Sequence, residues 1–215
     1  LLSRPVNYLT YSVAARDGRE HEVEVYFEAS PRWALDQPYQ QSASKGYEAD
    51  GLLYLKSGSK EQNILAKQGD DLRIDWGYFY MVAGKENTAY SVGNSTELRK
   101  NFVNGTLNSA SLEGEDSNGN MALVRSHGKV KNVTDKIMLG YDDIYSIQYF
   151  GTNLRPYWNS KGDRTIEAEM LAAYNEYDKL LARCYAFDKK LMEDASAAGG
   201  KEYAELCALA YRQSI

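Results

Sequence analysis

Apolar and polar residues alternate through most of the first 160 positions, which is the pattern of strands that bury one face. Residues 22–29 follow this period, with Val25 and Phe27 on the apolar side. Residues 6–15 are apolar on both sides, which predicts a more central strand. Asp17-Gly18 stands between the two segments and predicts a hairpin turn that joins them.

The same region contains further segments with the composition of strands. They are residues 51–56, 63–67, 72–82, 88–92, 121–125 and 133–139. We expect residues 88–92 to pair with residues 72–82, and the last two segments to pair with each other. Ser57-Gly58-Ser59 predicts a turn between the first two segments.

Polar stretches separate these strands. Residues 37–46 and 108–120 are predicted loops, and residues 95–103 form a predicted short helix capped by Ser95 or Thr96. Many short strands without alternating helices are typical of an antiparallel β-sandwich.

The pattern becomes helical after the first 160 positions. Apolar residues recur every three or four positions from Ile166 to Leu191, and Ala198-Gly199-Gly200 ends this helix before a second one begins. The chain is therefore mainly β with a C-terminal helical hairpin. The predicted domains are residues 1–160 and 161–215. Because the hairpin cannot cover its own apolar stripe, we expect it to pack on the sandwich, on further helices or on a second copy of the chain.

The composition of the chain argues against several classes of protein. The chain has 215 residues and a net charge of −5, which gives no electrostatic reason to expect a nucleic-acid partner. No apolar run reaches the ~18–20 residues of a membrane span. The two cysteines and two histidines lack the spacing of a zinc site, so we expect no metal and no cofactor. The chain begins at Leu1 and ends inside a helical pattern, so we expect a fragment of a longer protein.

Residues 140–158 carry the densest mixture of acidic, aromatic and basic side chains. Asp142 and Asp143 follow a strand end, where carboxylates act as general acid or base or accept N–H groups of a turn. Because neighbours on a strand point to opposite faces, at most one of them can face a given site. Both are candidate catalytic residues.

The aromatic and basic residues of this stretch are candidate ligand-binding residues. Tyrosine and tryptophan rings either line a cleft for a small molecule or sugar, or pack the sandwich against the helices. The arginine either binds a ligand carboxylate or makes a structural ion pair. These residues are Tyr141, Tyr145, Arg155, Tyr157 and Trp158.

The common catalytic motifs of serine hydrolases, P-loop proteins, zinc proteases and dinucleotide-binding proteins are absent. His21 and His127 are predicted to be surface imidazoles. Asp75 lies opposite the apolar face of Leu72 and Ile74, which predicts a solvated carboxylate.

Several segments together resemble the glutaminase A family of large bacterial and fungal proteins. They are residues 4–13, 17–18, 23–27, 74–78, 145–151, 156–158 and 187–213. The resemblance covers essentially the whole chain. It implies a supersandwich-like β domain before an (α/α) toroid, with residues 163–215 as the first toroid helices.

This resemblance also implies an exported parent protein, extracellular or in the cell envelope or periplasm, that hydrolyses L-glutamine to L-glutamate and ammonia. No catalytic motif of the family maps onto this chain, so we expect no turnover by the chain alone. Two other functions stay open. One is carbohydrate processing, which uses the same architecture with a sugar as substrate, and the other is a non-catalytic binding or assembly module. The remaining toroid and a second copy of the chain are the expected protein partners.

Overall fold

A computed structural model describes residues 3–107, 116–117 and 119–214. The described strands and helices are β1 (Val6–Ala14), β2 (His21–Ala29), a 3₁₀ helix (Pro31–Ala34), β3 (Ser42–Ala49), β4 (Leu52–Ser59), β5 (Tyr78–Gly84), β6 (Thr88–Gly93), α1 (Ser95–Val103), β7 (Asp116–Ser117), β8 (Asn120–Val130), β9 (Asn132–Asp142), β10 (Ile147–Tyr149), β11 (Thr152–Leu154), a 3₁₀ helix (Tyr157–Asn159) and α2 (Ile166–Gln213). The loop predicted at 108–120 lies mostly outside the described residues. The chain forms two compact units, Leu1–Leu171 and Ala172–Ile215.

The first unit contains three antiparallel sheets, of which the small one pairs β10 with β11 and the two larger ones form the predicted sandwich. A six-stranded sheet has the order β1-β9-β5-β4-β3-β7, and a three-stranded sheet has the order β2-β8-β6. Apolar side chains from both sheets and from the first 3₁₀ helix pack together in one core, of which Leu55, Met81, Leu123 and Ile137 are fully buried. This burial is the main contribution to the stability of the unit.

The predicted strand pairing was wrong in three places. β1 is an edge strand and pairs with β9, while β2 pairs with β8 in the other sheet, so the turn at Asp17-Gly18 is a crossing between sheets rather than a hairpin. β6 pairs with β8 and not with β5, and β8 does not pair with β9. Turn residues predict where the chain reverses, but they do not specify which strands then become neighbours.

Four segments were also misassigned. Residues 63–67 and 72–77 form no strand, and Leu72 and Ile74 are 45% and 41% exposed. The turn predicted at 57–59 is part of β4. β3 replaces most of the predicted loop 37–46 because its inner face carries small polar residues instead of apolar ones. Its Ser44 hydroxyl donates to the Ser57 hydroxyl at 2.8 Å, so this buried pair of serines is satisfied within the sheet.

The helix predicted at residues 95–103 is confirmed as α1. Its cap lies one residue earlier than predicted, because the Asn94 side chain accepts the N–H groups of Thr96 and Glu97 at 3.0 and 3.4 Å. Asn94 itself has extended backbone angles, as an N-terminal cap requires.

The helical unit confirms the predicted hairpin. α2 is interrupted at Gly200, which has a φ of 81° and a ψ of −174° that only glycine adopts readily. The Phe187 and Tyr211 rings, on opposite sides of this break, have centroids 5.0 Å apart, so the two helical segments fold back on each other. Within the described residues, no helix is both long and apolar enough to cross a membrane. The boundary predicted between 160 and 161 stays a prediction.

Candidate functional site

The candidate catalytic carboxylates are the last residue of β9 and the residue that follows it. Asp142 is the last residue of β9 and faces away from the three-stranded sheet, opposite Tyr78 of β5. Asp143 belongs to the turn that follows. The alternation rule applies to residues of one strand, and because β9 ends at Asp142 it does not describe the position of Asp143.

Asp142 is half-buried, and its environment favours the neutral acid. Burial raises the pKa of Asp142, and the charges of Asp143 and Glu167 raise it further. The N–H of Ile144, which donates to Asp142 Oδ1 at 3.0 Å, and the Lys56 ammonium act in the opposite direction without cancelling the shift. A raised pKa is typical of carboxyl groups that donate protons in catalysis.

Four side chains surround Asp142 on this outer face, and together with it they form what we call the outer-face cluster. Its members are Lys56, Tyr78, Tyr80, Asp142 and Glu167. The Lys56 ammonium lies 3.5 Å from the centroid of the Tyr78 ring and 6.0 Å from that of Tyr80. Burial raises the pKa of Tyr80, helped by the charges of Glu167 and Asp142, so its phenol stays protonated and can donate a hydrogen bond.

Glu167, in the first turn of α2, connects this cluster to neighbouring strands. Its Oε1 accepts a hydrogen bond from the Tyr47 hydroxyl at 2.7 Å, and its backbone oxygen accepts one from the Tyr54 hydroxyl at 3.4 Å. The Tyr47 and Tyr54 rings are stacked with centroids 5.0 Å apart. The start of α2 is thus fixed to β3 and β4 by polar contacts, and this fixes the position of Glu167 near Asp142.

Asp143 and Tyr145 belong to a separate network of hydrogen bonds centred on Trp76. The Trp76 indole N–H donates to the backbone oxygens of Asp143 and Tyr145 at 2.8 and 2.9 Å. The Tyr141 hydroxyl donates to the Trp76 backbone oxygen, while the Tyr141 ring packs against the core between the sheets. The Ser146 hydroxyl donates to Asp143 Oδ2 at 2.5 Å, so this carboxylate is engaged in its own turn.

Gly77 explains why this turn can lie so close to β5. Its φ is +76°, and a Cβ at this position would overlap the backbone oxygen of Asp142. The Gln62 side chain accepts the Gly77 N–H at 2.7 Å and donates to the Gly77 oxygen at 3.1 Å. Glycine and one amide side chain together hold the chain in position beside the candidate carboxylates.

The remaining candidates lie near the second 3₁₀ helix. Trp158 is buried and Tyr157 is 82% exposed, and both line a cavity of about 300 Å³ together with Asp163 and Arg164. The Arg155 guanidinium lies 4.9 Å from the centroid of the Tyr145 ring, and within the described residues it makes this cation–π contact rather than an ion pair.

Two sequence expectations about polar groups were wrong. Asp75 is 1% exposed and accepts hydrogen bonds from Gln40 Nε2 and Lys67 Nζ, both at 2.9 Å. The His127 side chain is 10% exposed, and its Nε2 lies 2.8 Å from the Tyr11 hydroxyl between the sheets. Neither set of partners follows a periodic spacing, so no pattern in the sequence reveals them.

The helical unit contains both cysteines of the chain. Cys184 is exposed, Cys207 is partly exposed, and both are free thiols. In the part of the chain that the structure describes, no three histidine, cysteine, aspartate or glutamate side chains are arranged to hold a metal ion.

The fold defines a protein with an antiparallel β-sandwich followed by paired helices. The chain belongs to the family described as "Domain of unknown function (DUF5127)", whose model matches residues 1–194. It is also similar to a protein named glutaminase A from Aspergillus oryzae, with 26% identity over 224 residues. This similarity covers 96% of the chain and 31% of the fungal protein, so the chain spans about a third of the length of that relative.

Proposed function

We propose that this chain is the sandwich-containing part of a glutaminase A-like amide hydrolase, which converts L-glutamine to L-glutamate and ammonia. The observation that carries the proposal is the similarity to glutaminase A along 96% of the chain. In this proposal the rest of the enzyme is an (α/α) toroid, of which the helical unit supplies the first helices. The parent protein is exported and works outside the cytoplasm.

Exposed apolar residues on the helical unit support the proposal that further helices complete it as a toroid. Tyr185, Leu206 and Leu209 are 65%, 62% and 53% exposed on helices whose other faces are partly buried. A helical unit that leaves large apolar side chains in water is completed by further packing. Additional helices of the same parent chain are the occupants that the proposal requires.

Asp142 is the residue of this chain that we propose for the chemistry. Amide hydrolysis needs water to add to the carboxamide carbon and a proton to reach the leaving nitrogen. The raised pKa of Asp142 supports the role of proton donor, and Tyr78 is its partner on the neighbouring strand β5. After Asp142 gives up its proton, the ammonium group of Lys56 would stabilise the carboxylate that forms.

The test is ammonia release from L-glutamine by the full-length parent protein, with L-asparagine as a comparison substrate. We expect release from L-glutamine by the full-length protein and none from residues 1–215 alone. Asp142→Asn in the full-length protein should lower kcat by about 100-fold or more and remove the basic limb of the pH profile, which arises when a proton donor loses its proton. Asp70→Asn, a matched change at an exposed carboxylate, should leave kcat unchanged. A full-length protein that releases no ammonia would refute the proposal.

A second candidate function is carbohydrate binding, and the exposed ring of Tyr157 favours it. Aromatic rings beside charged and hydroxyl groups are the usual walls of sugar sites, and this cavity has Asp163, Arg164 and Ser160 beside Tyr157. Glycan-array binding that is lost in Tyr157→Ala would support this function. Glutaminase activity without any glycan binding would exclude it.

A further inference from the structure

A second cavity, of about 260 Å³, lies between the segment after β2 and the segment before β5. Arg32, at the first 3₁₀ helix, and Arg73, 41 positions later in the chain, both line it. Leu35 and Pro38 form the apolar part of the cavity wall, and Asp36 contributes a carboxylate to it. Two guanidinium groups therefore share one small concave surface.

The negative charge of Asp36 is already matched by another group. Its Oδ2 lies 3.2 Å from Lys67 Nζ, and its Oδ1 accepts a hydrogen bond from Gln37 Nε2 at 3.2 Å. The hydrogen bond from Lys67 lowers the pKa of Asp36, so the carboxylate stays charged and paired. The charge of Arg73 also helps to lower the pKa of Asp36, but among the described residues neither Arg32 nor Arg73 makes an ion pair with a carboxylate. Two like charges that line one cavity repel each other.

A buried polar network holds the two walls of this cavity together. Asp75, two residues after Arg73, accepts hydrogen bonds from Gln40 Nε2 and Lys67 Nζ. Gln40 Oε1 in turn accepts the N–H groups of Asp36 and Gln37 at 2.8 and 2.9 Å. The segment that carries Arg73 is thus tied to the loop that follows Arg32 before any ligand binds. Such pre-organisation lowers the entropic cost of binding.

We propose that this cavity is a binding site for a small organic anion with a carboxylate or phosphate group. The forks of Arg32 and Arg73 would hold the anionic oxygens, since the guanidinium geometry matches both groups. Leu35 and Pro38 would contact the apolar part of the ligand. The site lies outside the outer-face cluster, and the proposal does not depend on glutaminase activity.

The experiment is isothermal titration of the purified protein with inorganic phosphate and, separately, with succinate, at constant ionic strength. We expect saturable binding of at least one anion at millimolar concentration, and the preferred anion identifies the class of ligand. Arg32→Gln and Arg73→Gln should each raise its Kd by about tenfold or more. Arg16→Gln, which removes the same charge at an exposed position outside the cavity, should leave the Kd unchanged.

Melting temperatures in the absence of anion separate binding from folding. Both cavity variants should remain about as stable as the wild type. Each removes a like-charge repulsion, and in Arg73→Gln the lost attraction to Asp36 offsets this gain. If neither anion binds saturably, or if Arg16→Gln weakens binding as much as the cavity variants do, the proposal is wrong.

Discussion

The side chain of Met170 lies directly over Gly140, so that α2 begins against a point of the six-stranded sheet that has no side chain. A Cβ at Gly140 would overlap Met170 Cε and would lie 2.6 Å from the Pro5 backbone oxygen. Gly140→Ala should therefore lower the free energy of unfolding by about 1–3 kcal/mol through overpacking. Urea denaturation of the two proteins measures the difference.

Gly93→Ala is the matched control for that substitution. Gly93 is also a strand glycine, but its nearest neighbour to an added Cβ is Leu98 Cδ2 at 4.0 Å. We expect Gly93→Ala to change the free energy of unfolding by less than about 0.5 kcal/mol. Equal effects at the two positions would show that the contact with Met170 does not determine the cost. Met170→Ala in the Gly140→Ala background should recover part of the loss, since the Pro5 oxygen remains.

The side chain of Glu28 on β2 is only 6% exposed. It accepts hydrogen bonds from residues of α1, β8 and β2. It accepts hydrogen bonds from Arg99 Nε at 2.8 Å, from Asn120 Nδ2 at 2.6 Å and from the Tyr26 hydroxyl at 2.9 Å. Glu28→Gln at neutral pH should cost about 1–3 kcal/mol of unfolding free energy, because it removes a buried charge from its partners. Chemical denaturation at pH 7 checks this value.

The same carboxylate predicts a dependence of stability on pH. Burial alone would raise the pKa of Glu28, but the hydrogen bonds from Ser95, Arg99, Asn120 and Tyr26 outweigh it and lower the pKa from 4.5 to about 2. The stabilisation is complete above the unfolded-state pKa and is lost as pH falls from about 4.5 to 2.

Stability measurements across this pH range, in wild type and variants, provide the control. Glu28→Gln should flatten the acid limb of the stability curve. Glu22→Gln, on the exposed side of the same strand, should leave that limb unchanged. An acid limb that survives in Glu28→Gln would contradict the assignment.

The sequence predicts the class of fold because that class depends on local patterns. Alternation over residues 22–29 and the cap before α1 are properties of short segments, and so is the glycine that interrupts α2. The pairing of β1 with β9 is different, because it joins residues such as Ser12 and Thr134 that lie 122 positions apart. No turn or period encodes such a contact, and β1 was therefore placed centrally when it is an edge strand.

The candidate site is predictable only in part, for the same reason. Asp142 and Asp143 stand out in the sequence because they stand at a strand end, but β9 ends at Asp142, so the alternation rule does not extend to Asp143. The partners of Asp142 come from β4, β5 and α2, and only the assembled sheet brings Lys56, Tyr78 and Glu167 to it. Asp75 was assigned to solvent because alternation places it on a polar face, whereas its burial depends on Lys67 and Gln40.

Asp142→Asn should stabilise the isolated chain at neutral pH. Burial raises the pKa of Asp142, so its ionisation opposes folding, and that cost grows as pH rises above the unfolded-state pKa of the carboxyl. The amide removes this cost while keeping an oxygen for the Ile144 N–H. Denaturation at pH 7 and at pH 4 measures the gain, which should be larger at pH 7.

Asp70→Asn tests whether this gain reflects burial or only the lower net charge. Asp70 is exposed, and its neutralisation should change stability by less than about 0.5 kcal/mol at both pH values. A gain of equal size in both variants would indicate a general charge effect. A loss of stability in Asp142→Asn would show that the carboxylate is ionised and stabilising.

Tyr11 links the two sheets through its hydroxyl. The hydroxyl donates to Asp135 Oδ2 at 3.2 Å and lies 2.8 Å from His127 Nε2, while Arg125 Nε donates to the same Asp135 oxygen at 2.8 Å. Tyr11→Phe keeps the ring but removes the hydroxyl that lies beside the His127 imidazole. We therefore expect the free energy of unfolding to fall by about 1–2 kcal/mol. Urea denaturation measures it, with Tyr39→Phe, at a ring that is 80% exposed, as the control.

A double-mutant cycle with Asp135→Asn then separates the hydrogen bond from the loss of packing. If the Tyr11 hydroxyl acts through Asp135, the double variant should lose less than the sum of the single losses, by about 0.5 kcal/mol or more. Additive losses would assign the cost of Tyr11→Phe to His127 alone. Tyr11 and Asp135 lie on β1 and β9 of the same sheet, so a coupled result would show that the carboxylate that accepts the Arg125 N–H from β8 of the other sheet is also the partner of the Tyr11 hydroxyl.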